Sequence, residues 1–419
     1  MANILIRYDL EQFKWKPFKG EGVRNGLLLV HEICNRYLKG DQTLFFGVTI
    51  DLHDTMSITK LSSSAQECWS WLRFQVPTIA SSILNESDYK LPMLIYTTAS
   101  PQEISRWVQR TLIIHPPSHI DLNQLRINEV PNFSAIPYSS LDCVDGAGLK
   151  IVVNRYLAQL AKVLSDSYSA SDVLSAWGAS TKVLFIFSSD LFSLLIIDHK
   201  DKYGLALRPK DTKWPKTCRA EVLFTREESE RILAASKISG FTLTHLGRFG
   251  SETRATSRLC SWHFHSQDSV SAFLSADGSV LPLDRDILLR VADIAKGQYR
   301  ALIELPAGLS CMPQGCEAFA MINVHAASTN MYCYSFSSDG KGENYLNHTF
   351  ADDTGKPVLT VNKFFTSLNR LDPGPFFRLS SWGGVIDLGA DYNSNIVKTE
   401  DVMNYLNQWK RFLLLILDN

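Results

Sequence analysis

The sequence predicts an α/β protein of two subdomains, and three observations support this prediction. Short apolar segments typical of strands alternate with longer segments of helical periodicity along the chain. A length of 419 residues, 45% of them hydrophobic, is enough for two domains or one large pseudo-dimeric body. A polar, proline-bearing stretch lies near the middle of the chain, as expected for a connection between two halves.

Helix starts are marked by capping chemistry. A serine or threonine followed three residues later by glutamate can satisfy two backbone N–H groups at the first turn of a helix. Three such pairs occur, and each predicts a helix N-terminus: Ser64 with Glu67, Ser100 with Glu103, and Thr225 with Glu228. The first of these helices should end near Pro77, because proline lacks the N–H group that a helix needs.

Two further helices are predicted from apolar periodicity. The first begins just beyond Gly146, and its apolar stripe is Leu149, Val153, Tyr156, Leu160 and Val163. The second is the last helix of the chain, capped by Thr399, with the stripe Val402, Leu406, Trp409, Leu413 and Ile416. The aromatic segment Met331–Phe336 alternates as a strand does, so half of it should face the core.

The domain boundaries follow from composition. Residues 198–220 are polar, aperiodic and proline-bearing, which is typical of a crossover linker. We therefore predict an N-terminal subdomain over residues 1–197 and a C-terminal subdomain over residues 221–419.

Charge and cysteine content exclude several classes of partner. The chain has 42 basic and 43 acidic side chains, a net charge of -1 and no long run of either sign, so nucleic acid and anionic membranes are not expected partners. Its eight cysteines show no zinc or disulfide pattern, and the N-terminus lacks the features of a secretory signal. We expect a cytoplasmic monomer that binds a hydrophobic small molecule and holds no metal.

The most informative segment is Tyr138–Gly146, which ends in Asp145 and Gly146 ahead of a predicted helix. It resembles the His-x-x-x-Asp-Gly signature of the chloramphenicol acetyltransferase-like superfamily, which includes plant BAHD acyltransferases, peptide-synthetase condensation domains and fungal acetyltransferases of secondary metabolism. In that family the histidine is the catalytic base, while the aspartate and glycine are structural. Here the histidine position is Leu141, preceded by Ser140.

The resemblance extends to three other segments. The Trp-x-x-Leu-Arg pattern of residues 69–73 is similar to the N-terminal helix of fungal relatives, and Gly240–His245 resembles the entry to a helix in the second half of condensation domains. Residues 377–393 resemble the closing hairpin of the family. The resemblance implies two subdomains with mixed sheets, flanking helices and a ligand tunnel at their interface. It places five side chains along the tunnel: His245, His325, Tyr334, Ser380 and Trp382.

Leu141 determines which reactions are expected. A positioned general base contributes roughly 10²–10⁴-fold to acyl transfer, and an isobutyl group cannot accept a proton. Among its neighbours, the hydroxyl groups of Ser140 and Tyr138 are not bases at neutral pH, and Asp142 should face the opposite side of the strand. These four residues are the candidate catalytic positions.

Three functions remain open. The first is a cofactor-independent cyclisation or isomerisation of a hydrophobic biosynthetic intermediate, in which the tunnel confines the substrate. The second is acyl transfer from acyl-CoA with a substitute base, for which His245, His265 and His325 are candidates. The third is a binding protein that keeps the fold without catalysis.

Other histidines are more simply explained as ordinary residues. His53 and Asp54 are adjacent, so they cannot share a strand face, and an exposed loop or edge is expected. His263 and His265 share a face of a predicted strand, but the sequence offers no third ligand for a metal.

Overall fold

The structure is a computed structural model. It describes residues 16–17, 23–27, 44–84, 93–112, 114, 146–165, 205–206, 217–252, 283–304, 331–332, 335–368 and 374–418. These residues form two compact units.

Helices and strands are both present, as the sequence predicts, but among the described residues they do not simply alternate: in the second half of the chain three helices are followed by six strands. The helices are α1 Ile58–Gln75, α2 Pro101–Thr111, α3 Gly146–Leu164, α4 Arg226–Ile238, α5 Leu243–Glu252, α6 Arg285–Glu304 and α7 Thr399–Leu414. The strands are β1 Lys16–Pro17, β2 Val23–Leu27, β3 Leu44–Leu52, β4 Ser82–Leu84, β5 Met93–Thr97, β6 Leu205–Ala206, β7 Thr217–Leu223, β8 Met331–Tyr332, β9 Ser335–Lys341, β10 Thr349–Ala351, β11 Pro357–Leu368, β12 Phe376–Trp382 and β13 Val385–Asn393.

The first unit contains α1 to α3 and two sheets. One sheet has the strand order β1-β2-β5-β4, and the other has the order β10-β11-β3. Leu72 of α1 and Val152 of α3 pack together in a small core. Beside them the ring of Trp69 stacks on that of Trp107, 5.7 Å between centroids, which joins α1 to α2.

The second unit is built on a mixed sheet with the order β7-β13-β12-β9. Strand β12 is antiparallel to β13 and parallel to β9, while β13 is antiparallel to β7. Helices α4 to α7 contribute to one large apolar core with one face of this sheet. That core includes Leu379 and Leu388 of the sheet and Leu246, Leu288 and Leu406 of the helices, all without exposed surface.

Two of the three predicted capping boxes are confirmed and one is wrong. Ser100 and Thr225 cap α2 and α4 reciprocally with their glutamates. The first predicted box fails because α1 begins six residues before Ser64. Its cap is Ser57, whose hydroxyl accepts a hydrogen bond from the N–H of Lys60 at 3.1 Å. Ser64 lies inside the helix and is buried, so its side chain does not cap the helix N-terminus as predicted.

The end of α1 at Gln75, ahead of Pro77, is as predicted. The predicted stripe of the last helix is also confirmed: its five residues are buried, four of them in α7 and Ile416 in the short 3-10 helix Leu415–Leu417 that follows. Thr399, however, is the first helical residue and not the cap. Its hydroxyl accepts a hydrogen bond from the hydroxyl of Tyr392 at 2.9 Å, so it joins the helix to β13.

Helix α3 begins at Gly146, as predicted, but it buries more than the predicted stripe. Of that stripe only Leu160 is fully buried. The other buried apolar residues are Val152, Leu157, Ala161 and Leu164, so the helix packs over a wider face. Periodicity alone underestimated this face because it counted only one row of contacts.

The closing hairpin is confirmed as β12 and β13. Trp382 and Val385 pair across a two-residue loop of Gly383 and Gly384, with φ of 56° and 77°. Positive φ at both positions is the requirement of a type I′ turn, which glycine meets without steric cost. The single strand predicted over Met331–Phe336 is instead split between β8, which pairs with β6, and β9, which pairs with β12.

The predicted linker, residues 198–220, lies mostly outside the described residues, so its role stays a prediction. The sequence did not indicate that Glu343–Thr366 belongs to the first unit, with β10 and most of β11. Within the described ranges, no helix is long and apolar enough to cross a membrane.

Candidate functional site

The candidate catalytic residues lie outside the described residues. This applies to Tyr138, Ser140, Leu141, Asp142 and Asp145. The same is true of three candidate histidines and of one aromatic residue: His263, His265, His325 and Tyr334. Of the motif itself, only Gly146 is described, as the first residue of α3.

His245 is part of the N-terminus of α5. The hydroxyl of Thr242 accepts a hydrogen bond from the N–H of His245 at 3.3 Å, and Nδ1 of His245 accepts one from the N–H of Thr242 at 3.2 Å. This is the reciprocal arrangement of a capping box, with an imidazole in place of the usual glutamate or glutamine. The ring packs between Phe241 and Tyr299, with centroid distances of 6.3 and 5.8 Å.

This geometry determines the protonation of His245. Because Nδ1 accepts a hydrogen bond, the neutral ring carries its proton on Nε2. Burial lowers the pKa of His245, and the positive charges of Lys296 and Arg300 on α6 lower it further. The ring is therefore neutral at pH 7 and presents a donor, not a lone pair. It is poorly suited to the role of substitute base.

The second-unit sheet has two chemically different faces. Side chains alternate along each strand, so the face away from the apolar core of the helices carries polar and aromatic groups. We call this the polar face. Apart from Thr217, Leu223, Val385 and Asn393 at the strand ends, its members on β7, β13, β12 and β9 are Arg219, Glu221, Asp387, Gly389, Asp391, Phe376, Arg378, Ser380, Trp382, Ser337 and Asp339. Two predicted tunnel residues, Ser380 and Trp382, thus lie on one face with two buried arginines.

An ion network occupies one side of the polar face. The guanidinium of Arg219 lies 3.6 Å from Glu221 and Asp387 and 3.7 Å from Asp391. It crosses β13 at Gly389, where a Cβ would lie 2.5 Å from Nη2 of the arginine. Glycine is therefore required at this position for the guanidinium to reach the aspartates on both sides.

Asp391 is the most buried member of this network, with no exposed surface. Its carboxylate accepts hydrogen bonds from the hydroxyl of Ser367 at 2.6 Å and from the N–H of Leu368 at 2.9 Å. Burial by itself would lower the pKa of Arg219, but Asp391, Asp387 and Glu221 more than offset it, and the net shift is upward. The guanidinium is thus held as a permanent cation.

Arg378 forms a second ion pair on this face. Its Nη1 donates to both carboxylate oxygens of Asp339 at 3.1 and 3.2 Å, and its guanidinium lies 4.8 Å from the ring centroid of Phe376. The sequence of β12 does not indicate the polar face, because Ser381 and Trp382 interrupt the alternation of polar and apolar residues that begins at Arg378.

A buried lysine in the first unit was also missed. Lys150 follows Gly146 by one turn of α3 and is 2% exposed. Its Nζ lies 5.2 Å from the ring centroid of Phe364 and 5.8 Å from that of Tyr345. Lysine is seldom buried to this degree, and helical periodicity does not indicate that a lysine would be buried at this position.

The remaining polar candidates have ordinary roles. His53 is exposed and its Nε2 is 2.8 Å from the hydroxyl of Thr360, while Asp54 pairs with Lys356 at 2.7 Å. As the sequence indicated, His53 and Asp54 do not form a catalytic dyad. In the part of the chain that the structure describes, no three His, Cys, Asp or Glu side chains are grouped to hold a metal ion.

Comparison with solved structures identifies the fold. The chain superposes on the TRI3 trichothecene 15-O-acetyltransferase of Fusarium sporotrichioides with a TM-score of 0.75 and 16% identity, covering 98% of this chain and 99% of that one. The first condensation domain of the CDA synthetase gives a TM-score of 0.53 at 11% identity over 94% and 96% of the two chains. The SgcC5 protein of Streptomyces globisporus gives 0.54 at 11% identity over 92% and 97%.

These similarities define the class of protein by its fold. The protein has the two-subdomain, chloramphenicol acetyltransferase-like fold of mixed sheets flanked by helices, as the motifs predicted. No protein-family model and no curated protein sequence matched the chain.

Proposed function

We propose that the protein is a natural-product tailoring enzyme that closes or rearranges a ring of a hydrophobic intermediate without an acyl donor or a cofactor. One observation carries the proposal: a chain that matches an acetyltransferase structure over 98% of its length has Leu141 where the motif of that superfamily has its catalytic histidine. The fold is retained, while the group that removes a proton from an acyl acceptor is replaced by an aliphatic side chain.

The physical argument is that a unimolecular ring closure needs confinement more than a base. Binding a flexible substrate in one reactive conformation lowers the entropic part of the barrier, and an apolar wall excludes water from the reacting atoms. Leucine contributes to such a wall. Acyl transfer, in contrast, would lose roughly 10²–10⁴-fold without its general base.

The second candidate is acyl transfer from an acyl-CoA, and a specific observation favours it. The TM-score of 0.75 with the TRI3 acetyltransferase exceeds the scores of 0.53 and 0.54 with the other two structures. This candidate needs a base other than Leu141. The hydrogen bond at Nδ1 of His245 argues against that residue, which leaves His265 and His325.

The two candidates differ in the mass of the product. The purified protein should be incubated with an extract of a producing strain whose corresponding gene has been deleted, with and without acetyl-CoA. We expect a metabolite to be converted into an isomer of equal mass, independently of acetyl-CoA. A product heavier by an acyl group, formed only with acetyl-CoA, would establish the second candidate. If no metabolite is converted under either condition, the remaining function is that of a binding protein without catalysis.

Two variants at Leu141 sharpen this test. Leu141→His places a polar ring in an apolar wall and should reduce a shape-driven isomerisation by at least about tenfold. Leu141→Met conserves volume and polarity and serves as the matched control, with activity near that of the wild type. If Leu141→His instead gains acetyl-CoA-dependent transfer and loses nothing, confinement by Leu141 is not the basis of function.

A further inference from the structure

Arg378 is the unusual group on the polar face, because most of its hydrogen-bonding capacity is unused. The residue is 8% exposed. Within the part of the chain that the structure describes, Nη1 donates to Asp339, no other nitrogen of the guanidinium donates a hydrogen bond, and the buried Nε has no partner. A guanidinium presents five N–H donors in a fixed plane, and a buried donor without a partner is unfavourable because it has lost its hydrogen bonds to water. Such a group in a folded protein calls for a specific acceptor.

We propose that Arg378 binds an uncharged carbonyl oxygen of the ligand through Nε and the edge of the guanidinium opposite Asp339. The pair with Asp339 fixes the plane of the guanidinium, and Phe376 packs against that plane at 4.8 Å. Because these two contacts already hold the guanidinium in place, its Nε edge need not reorient when a ligand binds. The donor is therefore preorganised, so little side-chain entropy is lost on binding.

Charge on the polar face selects a neutral acceptor over an anion. Among the described residues of this face, two arginines are accompanied by four carboxylates, those of Glu221, Asp339, Asp387 and Asp391. A carboxylate or phosphate ligand would add another negative charge in a region of low dielectric constant. A ketone, ester, lactone or amide oxygen accepts the same hydrogen bond without that repulsion.

The neighbours of Arg378 fit the rest of such a ligand. Ser337 lies opposite it on β9 and Ser380 follows two residues later, and both are half-buried, so this part of the face is accessible. Trp382 follows in the same row and is 9% exposed, so its indole ring is mostly buried. The expected ligand is thus an uncharged carbonyl compound. A carbonyl held by a cationic donor would also be polarised for reaction.

The test compares two uncharged probes that differ only in a carbonyl oxygen, 1-tetralone and tetralin. Their dissociation constants are measured by ligand-observed NMR with the wild-type protein, Arg378→Lys and the control Arg226→Lys. Lysine keeps a positive charge beside Asp339 but lacks the Nε edge. Arg226 is an exposed arginine paired with Glu230, so its replacement controls for the loss of a guanidinium.

We expect Arg378→Lys to weaken 1-tetralone binding by roughly tenfold, with tetralin unaffected and with Arg226→Lys like the wild type. The inference is overturned if the wild type binds neither probe, or if the ratio of the two affinities is the same in Arg378→Lys. If Arg378→Lys does not fold, the Nε–H resonance of Arg378 in the wild type replaces it. That resonance should shift when 1-tetralone is added and not when tetralin is added. If 1-tetralone causes no shift, Nε has a buried water as its partner at most, and the inference is overturned. Binding alone is measured, so the outcome is independent of which reaction the protein catalyses.

Discussion

At the scale of single residues, the partner of a side chain decides what it does. His245 was predicted to line the tunnel or to act as a base. In the structure its Nδ1 accepts a hydrogen bond from the N–H of Thr242, and its own N–H donates one to the hydroxyl of Thr242, so the side chain caps α5. Gly389 gave no signal in the sequence, but it is the position that the guanidinium of Arg219 crosses. In both cases the chemistry follows from a contact made after folding.

The first prediction concerns the titration of His245. Its pKa is lowered from 6.5 in the folded protein by burial and by Lys296 and Arg300. The unfolded chain therefore binds the proton more readily, and the contribution to stability is complete above pH 6.5 and lost as pH falls through the lower, folded pKa. Protonating Nδ1 also removes its hydrogen bond with Thr242. We expect wild-type stability to decline between pH 7 and pH 5.

The control for this prediction is His245→Gln, since glutamine can complete a capping box and does not titrate. The free energy of unfolding in urea, measured against pH, should fall more steeply for the wild type than for the variant. NMR titration should give a pKa of His245 below 6.5. A value at or above the ordinary one would contradict the geometry of the box.

At the scale of elements, local capping chemistry predicts helix starts only where tertiary packing agrees. Ser100 and Thr225 stand at exposed helix ends, so their capping boxes form. Ser64 has the same sequence pattern but lies on a face that the fold buries, and α1 extends back to Ser57. The apolar stripe of the last helix was predictable because its buried residues recur at helical spacing.

The second prediction uses two helical glycines of opposite environment. A Cβ at Gly297 of α6 would meet nothing within 4 Å, whereas one at Gly247 of α5 would overlap Leu379 and lie 3.1 Å from Phe336. Gly297→Ala should stabilise the protein by roughly 0.5–1 kcal/mol through helix propensity. Gly247→Ala should destabilise it by roughly 1–3 kcal/mol through overpacking. Thermal and urea denaturation of the two variants measure this, and a shared sign would contradict the packing of α5 on β12.

At the scale of the whole molecule, the chain does not divide at one point. Strand β11 begins in the first unit and ends in the second, with the boundary between Thr366 and Ser367. Immediately after this boundary, Ser367 and Leu368 donate hydrogen bonds to Asp391. Composition predicted one connection between the units, near the middle of the chain. It could not reveal that β11 also runs from the first unit into the second, because β11 has the sequence of an ordinary apolar strand.

The third prediction is that Asp391 stabilises the protein at the point where β11 leaves the first unit and enters the second. Asp391→Asn leaves the buried Arg219 with one fewer carboxylate and turns an amide donor toward donors, so a loss of roughly 3–5 kcal/mol is expected. Asp353→Asn is the matched control. Asp353 pairs with Lys162 at 3.0 Å, but both are exposed, so its loss should be roughly 1 kcal/mol or less. Equal effects of the two variants in urea denaturation would show that the Asp391 network contributes no more than a surface pair.

Sequence alone determined the features that depend on neighbours in the chain. These are the start of α3, two capping boxes, the hairpin of β12 and β13 and the apolar stripe of the last helix. Each is a short-range pattern, set by hydrogen bonds and side-chain spacing within a few residues. The family resemblance that they carried also predicted the fold.

Tertiary structure decided what depends on residues far apart in the chain. It placed the arginines of β7 and β12 on one polar face with the aspartates of β9 and β13, it buried Lys150, and it returned Glu343–Thr366 to the first unit. Strand pairing brings such residues together through backbone hydrogen bonds that are the same for almost any sequence. The side chains alone therefore do not specify in advance which strands will be neighbours.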